Sequence, residues 1–544
     1  MNRDPLPGAR RVHDLPRRLA AAWLLALALV APPAFALDGA QATALATGGT
    51  GERIEALEAA VAEPDAALAA FLQAMLDGRV RLLAGRAIVV ADDGTARDAA
   101  DGSRVEDSDG AKSVVNNNRM RRELGNAIAA LELFAGDATV RFEAARRIAD
   151  KPDAGGLALI ERALAEERVA GTRALLEQAR AAILVSAPDP ATRLAAAREL
   201  GTSREPSVKA LLERRLHAAD AETDAQVRKA LATSLASVSR RVAIGEYAGI
   251  VFSGVSLGSI LVLAALGLAI TYGLMGVINL AHGELVMIGA YATWLTQQFF
   301  RSRLPDWFDA YLLAAVPVSF LVAAAVGAVL ERLVIRHLYG RALETLLATW
   351  GISLILMQAV RSMFGAQNVA VENPSWLSGG LVVLPNLVLP WNRIAMIAFA
   401  LVVVAAVALL LARSRMGLFV RAATQNRMMA RCVGVPATRV DTLAFALGAG
   451  VAGLAGCALS QVGNVGPDLG QGYIVDSFMV VVLGGVGQIA GAVHAGLGLG
   501  IFNKILEGMA GAVIAKIVLL ALIIVFIQKR PQGIFALKGR SAEA

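Results

Sequence analysis

The stretch YGLMGVINLAHGE, residues 272–284, decides how this chain must fold. It lies inside a long apolar tract, yet Gly273, Gly276 and Gly283 loosen any helix drawn through it. Asn279, His282 and Glu284 carry polar groups that lipid penalises heavily when they are exposed and unpaired. The three side chains are therefore expected to point inward, at a broken helix of the kind on which transporters build binding sites and gates. Two readings stay open: a pathway or gate constellation, or a hydrogen-bonded knot that only fixes the break.

Outward from this stretch, apolar segments run from about 247 to 271, 273 to 299, 310 to 333, 344 to 363, 394 to 413, 438 to 462, 474 to 503 and 511 to 528. Crossing the hydrocarbon core takes about 20 residues. The expected fold class is mainly α: a polytopic helical membrane domain over 246–530, with broken or re-entrant helices and roughly seven to nine crossings. Arg332, Arg336 and Arg341 flank one loop; Arg413, Arg415, Arg421, Arg427, Arg431 and Arg439 crowd another; Lys529, Arg530, Lys538 and Arg540 mark the tail, 531–544. Basic loops stay in the cytoplasm, so these three are expected inside, and 364–393 and 461–471 outside.

An outside start and an inside finish demand an odd number of crossings, so 474–503 is not one simple span. Gly484, Gly485 and Gly487 divide it into two short pieces or a re-entrant hairpin. Lys504 and Glu507 are expected in a turn between apolar pieces, solvated or mutually paired. Asp476 and Lys516 read as interfacial, and His494 as a packing residue.

The amino terminus reads as a targeting signal. Arg10, Arg11, Arg17 and Arg18 precede the apolar run Leu19–Val30, and Ala34-Phe35-Ala36 offers a cleavage site, so residues 1–36 are expected to be a signal peptide, the alternative being an uncleaved anchor helix. Residues 37–245 then belong outside the cytoplasm and are mainly helical, with a strand at Arg86–Val90 and a loop at 101–109. Three segments are alike: Asp137 with Arg141, Asp189 with Arg193, and Asp224 with Arg228, each an aspartate cap leading to arginine and small residues. The pattern is HEAT-like, and an irregular alanine-rich bundle is its alternative.

Composition closes off other classes. In 544 residues, 56% are hydrophobic, and the net charge of +7 comes from arginines scattered on helices or beside apolar runs, which fits the basic side of a membrane and not nucleic acid. The two cysteines, Cys432 and Cys457, form no metal or disulfide pattern. No Ser/His, paired-Asp or HExxH arrangement inside the spans provides catalytic or metal-binding residues. No GxxxxGK[ST] cradle occurs, so the chain binds no nucleotide cofactor of its own and any ATP must be used by partner subunits.

Residues 415–435 read as a short amphipathic helix ended by a glycine. That segment, RAATQNRMMARCVGV at 421–435, together with NLAHGE at 279–284 and VVLGGVGQIAGAV at 481–493, resembles the branched-chain amino acid permease family of ABC importers over about 247–537. The resemblance implies that Arg421, Ala422, Gln425, Asn426, Ala430 and Gly434 belong to a coupling helix that docks on an ATPase. It also implies two ATPase subunits, a second permease subunit, a periplasmic solute-binding protein, a small-molecule substrate and a bacterial inner-membrane location. The extension before residue 246 and the stretch TWGISLILMQAVRSMFGAQNVAVENPSWL at 349–377 are similar to urea-importer permeases of that family, which implies urea as cargo. A branched-chain amino acid or short amide is the alternative within the class, and a membrane-anchored interaction scaffold is the alternative outside it.

Overall fold

Acidic and amide side chains set where the amino-terminal helices begin. The computed structural model describes residues 38–535 apart from 63–65, 92–93, 106–109, 218–221 and 277–278, so the expected signal peptide and the end of the tail lie outside the described residues. Two compact units divide at Arg240, near the change of composition.

In the first unit α1 (Gly39–Ala46), α2 (Thr50–Ala62) and α3 (Ala66–Leu76) precede a five-stranded antiparallel sheet. Its strands are β1 (Val80–Leu83), β2 (Arg86–Val90), β3 (Ala96–Asp98), β4 (Arg104–Val105) and β5 (Lys112–Ser113), in the order β4-β3-β2-β1-β5. The strand expected at Arg86–Val90 is β2; the expected loop at 101–109 instead contains β4. Strands of two or three residues such as β3, β4 and β5 are too short to show an alternating pattern. Ala84 and Gly85 join β1 to β2 with φ of 49° and 81°, a tight turn whose twist matches that of the strands. Val80 and Val89 pack with Leu68, Phe71, Leu72, Met75, Met120 and Leu124 in one buried core.

Helices α4 (Asn118–Glu132), α5 (Ala138–Asp150), α6 (Leu157–Glu166), α7 (Ala170–Leu184), α8 (Pro190–Leu200) and α9 (Pro206–His217) come after the sheet. Asp137 Oδ1 accepts from Thr139 N at 2.7 Å and Asp189 Oδ2 from Thr192 N at 2.9 Å, the caps that the aspartates announced. The arginine of each segment has a second job. Arg141 donates to the carbonyls of Ala135 and Gly136 and pairs with Glu167 at 2.8 Å; Arg193 donates to those of Ala187 and Pro188 and pairs with Glu222 at 2.7 Å. Arg228 reaches only the carbonyl of Thr223, at 3.3 Å. Glu167 and Glu222 are buried and also accept backbone N–H groups, at Val169 and Asp224 respectively, so each tie stitches one helix start to the next loop.

The second unit is a helical multi-pass membrane domain. Its helices are α10 (Ala225–Met275), which begins in the first unit, α11 (His282–Arg303), α12 (Tyr311–Leu333), α13 (Ala342–Phe364), α14 (Trp391–Arg413), α15 (Arg415–Gln425), α16 (Arg427–Cys432), α17 (Ala437–Ser460), α18 (Leu469–Gly484), α19 (Ile489–Ala510) and α20 (Ala512–Lys529). Among the described residues, α10, α12, α13, α14, α17, α19 and α20 contain seven segments long and apolar enough to cross a bilayer.

Four expectations change. The span expected at 273–299 does not exist as one helix, because α10 ends at Met275 and α11 starts at His282. Lys504 and Glu507 lie within α19, paired at 2.7 Å on one helix face, and the turn falls later, at Gly511 with φ of 84°. The segment 415–435 forms two helices, because Asn426 leaves the helical region and caps α16 by accepting from Met429 N at 3.0 Å. The loop 364–393 holds a hairpin of β6 (Gly380–Leu384) and β7 (Leu387–Pro390). The expected division of 474–503 is the turn between α18 and α19.

Lipid gives helices no hydrophobic reason to associate, so close backbone packing must hold them. Helices α11, α12 and α17 do this through glycine. A Cβ at Gly453 of α17 would sit 2.5 Å from the carbonyl oxygen of Ser319 on α12, and Gly453 also lies against Gly289 of α11.

Arg141→Met would leave buried Glu167 without its cation and loosen the tie between α5 and the loop before α7. Faster amide exchange across 157–184 of the solubilised full-length chain is the expected result. Arg141 first, and then the N–H groups of Val169 and Arg168, hold the Glu167 carboxyl below the ordinary range. The tie is therefore fully present above the ordinary glutamate value of about 4.3 and is lost as pH falls through the lowered one. Protection factors in this region, which correct for the base-catalysed intrinsic exchange rate at each pH, should match between about pH 6 and pH 8 and fall only in acid.

Candidate functional site

Helix α10 stops where Gly276 turns with φ of 67°. The freed backbone donors are taken up locally: Ala281 N donates to Asn279 Oδ1 at 3.0 Å, and Leu280 N donates to Thr349 Oγ1 of α13 at 3.2 Å. His282 Nε2 lies 2.9 Å from the carbonyl oxygen of Ala264. The start of α11 thus packs alongside α10, with the His282 ring against Ala264 and Gly267.

A second restart meets the first. After α17 the chain turns, bridges Val465 to Val369 and turns again, and helix resumes at Leu469 as α18. A Cβ on Gly283 would lie 2.5 Å from the carbonyl oxygen of Gly470, so the starts of α11 and α18 touch backbone to backbone. Glycine is required on both sides of that contact.

The polar trio sits here. Asn279, His282 and Glu284 are each 2% exposed or less. Glu284 Oε1 accepts from Ser353 Oγ of α13 at 2.9 Å. Asn279 Nδ2, His282 Nδ1 and Glu284 Oε2 have no hydrogen-bond partner among the described residues. The junction therefore holds unused capacity both to donate and to accept. Its flank carries the ion pair Arg361–Asp468 at 2.9 Å, next to the start of α18.

The remaining glycines build the turn between α18 and α19. Gly484 ends α18 packed on Gly491, and Gly485 and Gly487 adopt φ of 98° and 77°. Gly273 of α10 lies against that turn, its would-be Cβ 2.5 Å from the Cα of Gly487.

In α15 and α16, Arg421, Gln425 and Asn426 are exposed, Ala422 is half-buried, Ala430 is buried, and Gly434 is exposed with φ of 87°. Met428, Met429 and Val433 form an apolar knob, 72%, 62% and 77% exposed. Cys432 is exposed beside it, and Cys457 is buried. Beneath the knob, Arg427 pairs with Asp441 of α17.

Thr349, Ser353 and Gly470 escaped sequence reading. Their signal was present: Thr345, Thr349 and Ser353 recur every four residues on an otherwise apolar helix, and all three are buried. Gly470 had no such mark, because its partner Gly283 is distant in sequence.

Valine at Gly283 or Gly470 should force the two helix starts apart and destabilise the fold by about 1–3 kcal/mol. The expected reading is a lower thermal midpoint of the solubilised chain, whereas valine at exposed Gly472 should leave it unchanged.

Residues 250–527 match the family model described as the permease component of branched-chain amino acid transport systems. The chain is 31% identical over 288 residues to the high-affinity branched-chain amino acid transport permease protein BraD of Pseudomonas aeruginosa, covering 52% of this chain and 93% of that one. It is likewise 31% identical to LivH of Escherichia coli, with the same coverage. Identity is 27% over 291 residues to the probable LivH of Methanocaldococcus jannaschii, covering 51% of this chain and 88% of that one. No solved structure matches the chain.

Proposed function

The chain belongs to the family of branched-chain amino acid transport permeases, and on that footing we propose that it forms the membrane path of an ATP-driven importer, with urea as cargo. It is a multi-pass protein of the inner membrane. The observation that carries the reading is the meeting of two restarted helices around Asn279, His282 and Glu284, whose unused polar atoms can serve a small passenger inside an otherwise apolar bundle.

In this reading the three side chains line or gate the path, and the α15–α16 segment receives an ATPase subunit. ATP is bound and hydrolysed by two such partners. A second permease subunit completes the path, and a periplasmic solute-binding protein delivers the cargo. The first unit and the start of α10 lie in the periplasm, and α15, α16 and the carboxyl terminus lie in the cytoplasm. Closure of the ATPase pair draws the α15–α16 segments together and biases the spans between outward-open and inward-open arrangements.

Urea is neutral and strongly dipolar, so its passage asks for donors and acceptors without a counter-charge. Its support is the resemblance of the extension and of 349–377 to urea-importer permeases, together with the mixed donor and acceptor capacity at the junction. A branched-chain amino acid is the second reading, favoured by the names of the relatives.

Labelled urea and labelled leucine, offered to cells with and without this chain, decide between them. Urea uptake should depend on the chain; dependence of leucine uptake alone would transfer the assignment to the second reading. Glu284→Met combined with His282→Leu should lower uptake about tenfold or more at unchanged protein level, since removing both groups strips the junction of most of its unused capacity. The native Cys432 tests orientation. A membrane-impermeant thiol reagent should modify it only after the cells are opened, and modification in intact spheroplasts would overturn the docking assignment.

A further inference from the structure

Beneath the exposed knob of α15–α16, two fully buried carboxylates hold a charged knot. Glu331, at the end of α12, accepts from Thr442 Oγ1 of α17 at 2.6 Å, pairs with Arg336 at 3.3 Å, and lies 3.5 Å from the hydroxyl of Tyr339. Asp441, one residue before Thr442, is 1% exposed and pairs with Arg427, the first residue of α16. The Arg427 guanidinium lies 4.6 Å above the ring of Tyr339. Burial, first of all, raises the Tyr339 phenol above its ordinary value, so the ring stays neutral under that cation.

Gly417 packs tightly on the backbone of Leu411 and so fastens α15 to α14, but the other links toward α17 are softer. Ala423 meets Ala444 in a small apolar contact, Arg421 returns to the carbonyl oxygen of Leu411, and Gly434 with its positive φ leads into α17. Alanine surfaces slide with little penalty. A carboxylate shielded from water keeps its cation, because separation leaves the charge uncompensated.

Past this point the packing is rigid. Gly453 and Gly456 of α17 lie against the backbone of Gly289 and Val286 in α11, the helix that begins with His282 and Glu284. Displacement of α17 therefore moves α11 with it, and the helix junction lies at the end of that route.

We infer that Arg427 and Asp441 form the clasp that hands motion of α15–α16 to α17, with Tyr339 and Glu331 extending the hold to α12. Arg427 is a positioning residue: it acts through α17 and touches no cargo. The inference rests on the proposed docking of an ATPase at this segment.

The test uses the complete transporter in proteoliposomes, with uptake and ATP hydrolysis measured in parallel. Arg427→Gln should leave ATP hydrolysis within about twofold of wild type and lower uptake per ATP about tenfold, the range of an ordinary coupling free energy. Arg427→Lys, and the exchanged pair Arg427→Asp with Asp441→Arg, should recover at least about half of the wild-type ratio, which a purely structural role of the arginine would not produce. An Arg427→Gln transporter that keeps the wild-type ratio overturns the clasp. If that variant does not assemble, Asp441→Asn and Arg427→Lys decide, and a wild-type ratio in Asp441→Asn overturns it equally. Cross-linking of native Cys432 to the ATPase subunit separates the two levels. Absence of that cross-link in the wild-type transporter removes the docking reading and the clasp with it, whereas a cross-link together with an unaffected ratio removes the clasp alone.

Discussion

Inside a bilayer every backbone N–H and C=O must find a partner within the protein, and the membrane unit turns on how it meets that demand where its helices break. Between α10 and α11 the donors go to Asn279 and Thr349; after α17 the turning chain borrows a bridge from Val369. Each break survives because another segment lies close enough to serve it. Glycine faces on α11, α17 and α18 bring the backbones within reach, so packing and hydrogen bonding satisfy one condition together.

The sequence announced the break through Gly276 and the polar trio, but it could not say where the helix resumes. Hydropathy marks 273–299 as one apolar segment because it does not measure path length. The helix instead resumes only at His282, a delay that leaves no trace in composition because apolar residues suit a break as well as a helix. Membership of the membrane class, the glycine turn after α18 and the mainly helical amino-terminal unit were legible for the opposite reason. Each depends on local pattern alone.

The same contrast runs through the charged groups. Asp137 and Asp189 declare themselves as caps, since a cap acts on the next two or three residues. Glu167 and Glu222, which complete the arginine ties, give no signal because their partners stand 26 and 29 residues away. Glu331 and Asp441 carry no local mark in the sequence, and only the fold shows them meeting Thr442, Tyr339 and Arg427.

The burial of Glu331 and Asp441 also fixes how the α15–α16 end of the bundle responds to its surroundings. Mobile ions weaken attraction only between charges that they can surround, over a distance of about 8 Å at physiological ionic strength. Exposed pairs such as Arg341–Glu344 relax as the surrounding electrolyte thickens. The two sequestered carboxylates face arginines that are only partly exposed, so the grip at the base of the bundle weakens less with rising salinity than the protein's rim does.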